Sequence, residues 1–279
     1  MTSTVAIINW NGGLLLRTCV ESLLATTANV GILVIDNASE DTSLESVQGF
    51  RNRVNIVRNS ANRGFAAAVN QAFHTTSTSY ILILNPDIRV MPGSVKRLEQ
   101  FLDVHERAAA IGGYVGEKYL PRKFPTVGAL VLQNLGASPV SDIRRQSEPV
   151  LVDQPAAAAL MVRRAAFDEV GGFDEQFFPA WYEDVDFCRR IKAKGWDIYF
   201  DPDAEFMHEG GYSAGALGSV DFARAFYRNQ LRYARKHFGP IGAAAVRTSI
   251  AAGMIGRMIG RPKYVATYGK VFLGVLKGW

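Results

Sequence analysis

The chain has 279 residues, of which 48% are hydrophobic, with 26 glycines, 11 prolines and no low-complexity tract. A chain of this length and composition buries a substantial core without disulfide staples, which excludes a disordered or fibrous protein. The net charge of +5 is unevenly divided, because residues 218–279 hold 11 Lys and Arg against Asp221 alone, whereas residues 1–217 hold 20 Lys and Arg against 25 Asp and Glu. The sequence therefore predicts an acidic body, residues 1–217, and a basic extension, residues 218–279.

The first half of the chain alternates short apolar runs with helical patterns, which is typical of an α/β fold with a mostly parallel sheet. The apolar runs predict strands at Thr4–Ile8, Ile32–Asp36, Asn55–Arg58 and Tyr80–Leu84. The segments between them predict helices at Leu14–Thr26, Asp41–Gly49 and Phe65–Thr75. The first strand begins almost at once, with no charged leader before it, and we therefore expect a cytoplasmic protein. Cys19 and Cys188 have no metal or redox spacing, which favours a reducing compartment.

The second half of the body is less regular. A helix at Gly93–Glu106 and a strand at Ala109–Val115 are followed by residues 116–150, which contain four prolines and little periodicity. For residues 116–150 we expect a long loop or a pair of short strands. Four further elements are predicted before the extension, namely strands at Ala156–Val162, Asp197–Asp201 and Ala204–His208 and a helix at Tyr182–Lys194.

The basic extension is predicted to be helical from Asp221 onwards. Residues 241–260 are long enough to span a bilayer, but Arg247 and Arg257 would each cost about 2.5–3.5 kcal/mol at its centre. An interfacial helix fits better, because Arg247, Arg257 and Arg261 share one helix face and attract anionic lipid. The alternatives are a homodimer interface and helices that fold back on the body.

Several polar residues follow the predicted strands of the body, where ligands of parallel sheets bind. Asn9 follows the first strand, Asp36 and Asn37 end the second, and Asn85-Pro86-Asp87 follows the fourth. The turn Asn9-Trp10-Asn11-Gly12-Gly13 is not a G-x-G-x-x-G fingerprint, which disfavours a nicotinamide dehydrogenase or a methyltransferase.

Three of these positions allow specific ligand chemistry. Asp36 can accept hydrogen bonds from a ribose hydroxyl or a nucleobase, and its alternative role is to start the next helix. Gly64 allows close approach of a ligand and Arg63 can reach a base or phosphate, although an ordinary loop is the alternative. Asp87 follows a strand apolar enough to be central, and its carboxylate can hold a divalent cation against phosphates.

A cluster of acids marks the start of the helix predicted at Tyr182. Glu183, Asp184 and Asp186 complement the helix dipole, and Asp186 can pair with Arg190 one turn later. The aromatic pair Trp181-Tyr182 beside two carboxylates is typical of a sugar-binding site with a general base. His208 ends the last predicted strand, and a lone histidine there is more often structural than a ligand.

Together these motifs resemble the family 2 glycosyltransferases, in particular the rhamnosyltransferase-like branch of bacterial cell-wall and surface polysaccharide synthesis. The resemblance covers about residues 3–240 and implies the A-type glycosyltransferase fold, a Rossmann-like nucleotide-binding sheet flanked by helices, followed here by a C-terminal helical extension. It depends on the joint order of seven motifs: Ile7–Asn11, Val34–Asp41, Asn59–Phe65, Leu84–Asp87, Gly171–Glu175, Glu183–Asp186 and His208.

The resemblance also implies roles for individual residues. The donor nucleotide would contact a set formed by Ile8, Asn9, Asp36, Asn37, Arg63, Gly64, Asn85 and Asp87. Asp87 would bind the metal with His208 as a second contact, and Asn85-Pro86-Asp87 supplies one carboxylate where the family's D-x-D motif has two. Asp184 would be the general base supported by Glu183, and Trp181 and Tyr182 would contact the acceptor. The departure at Asn85 predicts a modest metal affinity.

The expected reaction is an inverting, metal-dependent transfer of a sugar, with rhamnose favoured, from a dTDP- or UDP-type donor. The acceptor would be a glycan or a polyprenyl-linked molecule, and the cofactor Mg²⁺ or Mn²⁺. A glucosyl or galactosyl donor is one alternative, and a catalytically silent nucleotide- or glycan-binding protein on the same fold is another. The acidic body and the absence of a recognised nucleic-acid module argue against nucleic acid as the partner of the extension, and favour an anionic membrane surface.

Overall fold

The computed structural model describes residues 2–27, 30–137, 148–208 and 218–279. Its first half alternates strands and helices in the predicted order, with β1 (Ser3–Asn9), α1 (Gly13–Thr26), β2 (Gly31–Asp36), α2 (Ser43–Ser46), β3 (Asn55–Arg58), α3 (Phe65–Thr75) and β4 (Tyr80–Leu84). Apart from α2, which is shorter than Asp41–Gly49 and is followed by a 3₁₀ turn at Gln48–Phe50, these elements match the prediction to within one residue at each end. Every residue of β1 and β4 is buried, as expected for strands covered on both faces.

The remaining elements follow the prediction less closely. They are β5 (Ile88–Val90), α4 (Ser94–Val104), β6 (Ala108–Tyr114), α5 (Val127–Asn134), β7 (Val150–Leu151), β8 (Ala159–Arg163), α6 (Arg164–Val170), α7 (Glu183–Ala193), β9 (Asp197–His208), α8 (Gly218–His237), α9 (Gly239–Gly260) and α10 (Val265–Lys277). The expectation of only a loop or short strands at 116–150 was wrong in part, because α5 lies there, capped by Thr126, whose hydroxyl accepts from the Ala129 N–H at 3.2 Å. Residues 138–147 of that segment lie outside the described residues.

The two strands predicted at Asp197–Asp201 and Ala204–His208 are one strand, β9. Its pairing with β6 passes from Gly113–Asp201 to Tyr114–Glu205, so a bulge takes up the residues between them. Because Pro202 cannot donate to a ladder, a bulge is where a strand tolerates it. Pro202 and Asp203, which separate the two predicted strands, are therefore a local irregularity within a continuous strand.

The strands form one sheet in the order β3-β2-β1-β4-β8-β6-β9-β5, with β7 paired to β9. The strands β3, β2, β1 and β4 are parallel, as predicted. Beyond β4 the sheet is mixed, because β8 is antiparallel to both β4 and β6, and β5 and β7 are antiparallel to β9. The parallel half brings the C-terminal ends of β1, β2 and β4 to one edge, and β8 begins at that same edge.

The chain divides into two compact units. The first unit comprises Met1–Lys123, Ser141–Glu175 and Glu183–Ser213, and contains the sheet; the second comprises Phe124–Val140, Gln176–Tyr182 and Ala214–Trp279. The second unit thus groups α5 and residues 176–182 with the C-terminal helices. The predicted division between residues 217 and 218 had placed both segments in the body. That division by function stays a prediction.

Within the second unit, α9 contacts α5, α8 and α10. Arg247 donates to the carbonyls of Val275 and Leu276 at 2.9 and 2.8 Å, and Arg257 donates to the Asn134 carbonyl at 2.7 Å. Both arginines are half-buried, so the expectation that they form an outward basic face with Arg261 was wrong. No helix within the described ranges is both long enough and apolar enough to cross a membrane.

Candidate active site

The first group of predicted site residues meets where β1 and β2 end side by side. Asn9 is the register partner of Asp36, and its side-chain amide donates to Asp36 Oδ1 at 2.7 Å. Asp36 is fully buried and also accepts from the Ser39 hydroxyl at 2.6 Å and the Ser39 N–H at 3.2 Å. Arg58 Nε lies 3.7 Å from the same carboxylate. Asp36 therefore fixes the loop after β2 to the end of β1.

Asn37 connects this group to the start of α3. Its Oδ1 accepts from the Asn59 amide at 3.0 Å and the Arg63 N–H at 3.3 Å, and its own amide donates to the Gly64 carbonyl at 3.0 Å. Gly64 has φ +85°, a conformation that glycine adopts without strain, and Arg63 is exposed beside it. The structure thus gathers five of the predicted donor residues, Asn9, Asp36, Asn37, Arg63 and Gly64, with Ile8 buried in β1 beside them.

Ser39 lies in the Val34–Asp41 motif but was given no ligand role, and sequence reasoning missed Arg58 in this group. Arg58 ends β3 and donates to the Ser39 carbonyl at 3.1 Å, and its side chain is largely exposed. Its position at the C-terminal end of a parallel strand was a signal that could have identified it.

The N-terminus of α1 is occupied by the protein's own side chains. The Gly13 N–H donates to Asp41 Oδ2 at 2.8 Å and to the Ser43 hydroxyl at 2.9 Å. A Cβ added at Gly12 would lie 2.5 Å from Asn9 Oδ1 and 3.0 Å from Pro86 Cβ, so the loops after β1 and β4 are in close contact. The Gly13 N–H at the start of α1 is therefore already hydrogen-bonded within the protein.

The second group is formed by Asp87 and His208. Ile88 pairs with His208 across β5 and β9, which places His208 Nε2 3.4 Å from Asp87 Oδ1. Both side chains are buried, and the Tyr119 ring lies 4.5 Å from the His208 ring in an edge contact. Asp87 Oδ1 and His208 Nδ1 have no hydrogen-bond partner among the described residues.

Asp87 Oδ1 and His208 Nε2 are two metal-ligand atoms side by side, and Asp87 Oδ1 has no hydrogen-bond partner among the described residues. Such a pair fits a divalent cation. The described residues contain no group of three or more His, Cys, Asp or Glu that would complete the coordination. Mg²⁺ is commonly held by one or two protein ligands together with substrate phosphates, which matches a site with few protein ligands. Asn85 is half-buried nearby in sequence, and its N–H donates to the Ala158 carbonyl at 3.1 Å.

The third group is the carboxyl pair in the first turn of α7. Asp184 accepts from the Gln154 amide at 2.9 Å and from the Val185 N–H at 2.8 Å. Burial raises the pKa of Asp184 above its usual range, and these hydrogen bonds and the charge of Arg122 partly oppose that rise. Burial, and then the charge of Asp184, raise the pKa of Glu183 further, and Glu183 Oε2 has no hydrogen-bond partner in the described structure.

Gln154 is a further residue that sequence reasoning missed. It links this pair to the sheet edge, because it lies five residues before β8 and β8 starts opposite Leu84 of β4. Asp186 takes the structural role considered for it, since it is fully buried and pairs with Arg190 at 2.8 Å. Arg190 in turn donates to the carbonyls of Val170 and Gly172. A half-buried carboxylate with a raised pKa, as at Asp184, is suited to accepting a proton from a hydroxyl group.

The two predicted acceptor residues belong to the second unit. Trp181 and Tyr182 have φ values of +76° and +73°, which is strained backbone for residues with side chains. The Trp181 ring is half-buried and lies 4.5 Å from Phe222, whereas the Tyr182 ring is buried and its hydroxyl accepts from Gln230 at 2.9 Å. Of the two, Trp181 is the one that keeps accessible ring surface.

Unsatisfied polar atoms mark the candidate site. In the described part of the chain, nine buried side-chain atoms lack a hydrogen-bond partner, and four of them belong to predicted site residues: Asn9 Oδ1, Asp87 Oδ1, Glu183 Oε2 and His208 Nδ1. Such atoms are costly in a folded protein unless a ligand, ion or water uses them. Their concentration among these residues supports a ligand site.

Residues 4–171, more than half of the chain, match the sequence model of Glycosyl transferase family 2. Residues 153–209 match a second model, described as the N-terminal domain of galactosyltransferase. The chain is 29% identical over 242 residues to an N-acetylglucosaminyl-diphospho-decaprenol L-rhamnosyltransferase of Mycobacterium tuberculosis, an alignment that covers 77% of this chain and 78% of that protein. It is 24% identical over 243 residues to rhamnosyltransferase WbbL of Escherichia coli, covering 79% and 88% of the two chains.

Among solved structures, the chain is similar to the mannosyltransferase PcManGT from Pyrobaculum calidifontis in complex with GDP-Man and Mn²⁺. The TM-score is 0.61 and the sequence identity 15%, with 98% of this chain and 80% of that chain covered. At this identity the likeness shows a shared fold.

Proposed function

Because the chain belongs to Glycosyl transferase family 2, we propose that it transfers a rhamnosyl group from a nucleotide diphosphate sugar to a polyprenyl-linked acceptor in cell-wall or surface polysaccharide synthesis. Its fold is the A-type glycosyltransferase fold that the sequence resemblance implied. The proposed sugar and acceptor are supported by the two relatives named as rhamnosyltransferases, one of which acts on a decaprenol-linked acceptor by its name. The observation that carries the reaction type is Asp184, a half-buried carboxylate with a raised pKa and a fixed orientation.

The donor is proposed to bind at the edge formed by the ends of β1, β2 and β4. Asn37 and the backbone of Ile8 and Asn9 border the nucleotide, and the exposed guanidinium groups of Arg58 and Arg63 are available to the base or the phosphates. Asp36 is proposed to act on the donor indirectly, because its carboxylate accepts hydrogen bonds from Asn9 and Ser39 and holds them in place. A dTDP- or UDP-type donor is the proposed class.

A divalent cation, Mg²⁺ or Mn²⁺, is proposed to be held by Asp87 and His208. When bound, it would offset the negative charge that develops on the departing nucleoside diphosphate. The buried, unsatisfied Asp87 Oδ1 supports this assignment, and Asn85 contributes at most a neutral ligand.

Asp184 is proposed to remove the proton from the acceptor hydroxyl as that oxygen attacks the anomeric carbon. The Gln154 amide and the Val185 N–H hold both carboxylate oxygens, so the base is oriented before the acceptor arrives. Attack from the face opposite the leaving group inverts the anomeric centre. Glu183 supports the base, and Trp181 and Tyr182 are the proposed aromatic residues on the acceptor side, of which Trp181 has the more exposed ring.

A galactosyl donor is the second candidate, because residues 153–209, which include Asp184 and His208, match the model for the N-terminal domain of galactosyltransferase. A glucosyl donor and a catalytically silent binding protein are further alternatives. Divalent-cation-dependent hydrolysis of the donor would separate an enzyme from a silent binding protein, and a panel of nucleotide sugars would separate the donors by thermal stabilisation.

The experiment that tests the proposal is the substitution Asp184→Asn. Without a general base, transfer from a radiolabelled donor should fall by about 10²–10⁴-fold, whereas donor binding measured by calorimetry should stay unchanged. Asp168→Asn, on the exposed surface of α6, is the matched control and should retain both. Loss of donor binding in Asp184→Asn would refute the assignment of Asp184 as the base.

The site of action is proposed to be the cytoplasmic face of a membrane, because a polyprenyl-linked acceptor is embedded in one. The basic composition of residues 218–279 supports this location. A homodimer through the C-terminal helices is the alternative use of this surface.

A further inference from the structure

The side of α9 that faces away from its neighbours carries no charge. Seven of its exposed residues recur every one to four positions and, at 100° per residue, fall within an arc of about 100°. We call this set the outer stripe, and it consists of Ile241, Ala244, Ala245, Thr248, Ala252, Ile255 and Ile259. The isoleucines at 241 and 259 are 87% and 79% exposed. An exposed helix face normally carries charged residues, so the outer stripe requires an explanation.

The core of the second unit does not explain it. The opposite side of α9, with Val246, Ile250 and Met254, is fully buried, and α9 contacts α5, α8 and α10. The two arginines of α9 lie outside the outer stripe, with their guanidinium groups bound to main-chain carbonyls. The α9 helix is therefore apolar on two sides, and the described chain covers one of them.

Exposed basic residues follow the outer stripe along the chain. Arg261 and Lys263 follow α9 directly and are exposed, and α10 presents Leu273 and Leu276 beside Lys270 and Lys277. On a helical projection of α10 the exposed apolar residues span about 100° and the two lysines lie at one edge of that arc. Residues 239–279 contain no Asp or Glu.

We propose that the outer stripe and the exposed apolar face of α10 bind the surface of an anionic lipid bilayer, with Lys270 and Lys277 contacting lipid head groups. An apolar face edged by lysines, without acids, has the composition of a helix that lies in a membrane interface. A second copy of the chain fits less well, because a symmetric pairing would bring the same basic residues of both copies together with no acid to offset them. The inference rests on the proposed function, since it names the surface through which the enzyme would reach a polyprenyl-linked acceptor.

The test is co-sedimentation of the full chain with vesicles of phosphatidylcholine, with and without phosphatidylglycerol. We expect binding to the anionic vesicles, and a loss of about tenfold or more in Ile241→Glu/Ile259→Glu, whose side chains are exposed and whose replacement leaves the core intact. Lys270→Gln/Lys277→Gln should lower binding to anionic vesicles by about fivefold for each lysine removed. Val104→Glu, at a 75% exposed apolar residue of the first unit, is the matched control and should bind as the unchanged chain does.

Equal failure to bind both kinds of vesicle, or unchanged binding by Ile241→Glu/Ile259→Glu, would overturn the inference. Light scattering tests the second copy: a dimer that Ile241→Glu/Ile259→Glu converts to a monomer, without vesicle binding, would also overturn it. Transfer to a short, water-soluble acceptor analogue separates this inference from the proposed function. If that transfer is present and vesicle binding is absent, only the membrane surface fails; if the transfer is absent although vesicles are bound, the proposed function fails.

Discussion

The hydrogen bond from Gln154 to Asp184 allows the effect of Gln154 on the pKa of the proposed base to be tested apart from a purely structural role. Gln154→Leu removes the amide that donates to Asp184 Oδ2 at 2.9 Å and keeps a side chain of similar size. This hydrogen bond is stronger when Asp184 is ionised, so its loss should favour the protonated form and raise the pKa of Asp184 above its already raised value.

A hydrogen bond to a charged group contributes about 1.5–3 kcal/mol, and the lower part of that range applies because Gln154 and Asp184 are half-buried. Each 1.4 kcal/mol is a factor of ten, so the protonation equilibrium should shift by about 10-fold or more towards the neutral acid. On the acidic limb of the pH–rate profile the rate follows the ionised fraction, so kcat/KM there should fall by the same factor. On the alkaline plateau it should change little.

The assay is kcat/KM for sugar transfer across the pH range, with donor binding measured alongside. Gln154→Glu places a carboxyl beside Asp184 and should move the acidic limb further in the same direction. Gln100→Leu, at an exposed glutamine of α4, serves as the control. A uniform loss of rate at every pH would mean that Gln154 has a structural role only, and an acidic limb that stays in place would refute the reasoning about Asp184.

Three further predictions follow from the same contacts. Glu183→Gln should raise the free energy of unfolding, and the gain should grow as the pH rises above about 4.5. The reason is that burial raises the pKa of Glu183 in the folded state, so above the unfolded-state pKa the unchanged chain loses stability that the neutral Gln keeps. Urea unfolding at several pH values checks this, and a gain independent of pH would contradict it. Asp36→Ala removes the acceptor of Asn9 and Ser39 and should lower the free energy of unfolding by about 2–4 kcal/mol, as measured by urea denaturation. Asp87→Ala should abolish the tightening of donor binding by Mn²⁺ in calorimetry, and an unchanged metal titration would count against Asp87 as a ligand.

Three of the first four strands, β1, β2 and β4, could be predicted because burial on both faces leaves each of them as a largely apolar run, whereas β3 has only Ile56 and Val57 between two exposed polar residues. Tyr80–Leu84, in which all five residues are buried, shows this directly. The polar residues that follow such runs could also be placed, because parallel strands end at one edge. Asn9 and Asp36 are register partners for that reason, although 27 residues separate them.

Contacts between distant loops could not be predicted in the same way. Gln154 reaches Asp184 across 30 residues, and neither residue lies in a pattern that points to the other. The helix α5 was missed for a local reason, since Pro121 and Pro125 precede it and its eight residues carry a continuous apolar run, Ala129–Leu132, that is too short to show a helical period. Thr126, whose hydroxyl caps that helix, was its one readable signal.

The C-terminal extension shows why net charge does not locate a charged surface. Residues 218–279 hold 11 Lys and Arg, but the guanidinium groups of Arg235, Arg247 and Arg257 donate hydrogen bonds to main-chain carbonyls of the second unit. A helical projection placed Arg247 and Arg257 on a common face, yet it contains no information on which face the neighbouring helices cover. Because α9 is apolar on two sides, the same sequence pattern fits either side as the core. Only the contacts with α5, α8 and α10 distinguish the two sides, and they leave the uncharged side of α9 exposed, with Arg261, Lys263 and the two lysines of α10 as exposed positive charges near it in sequence.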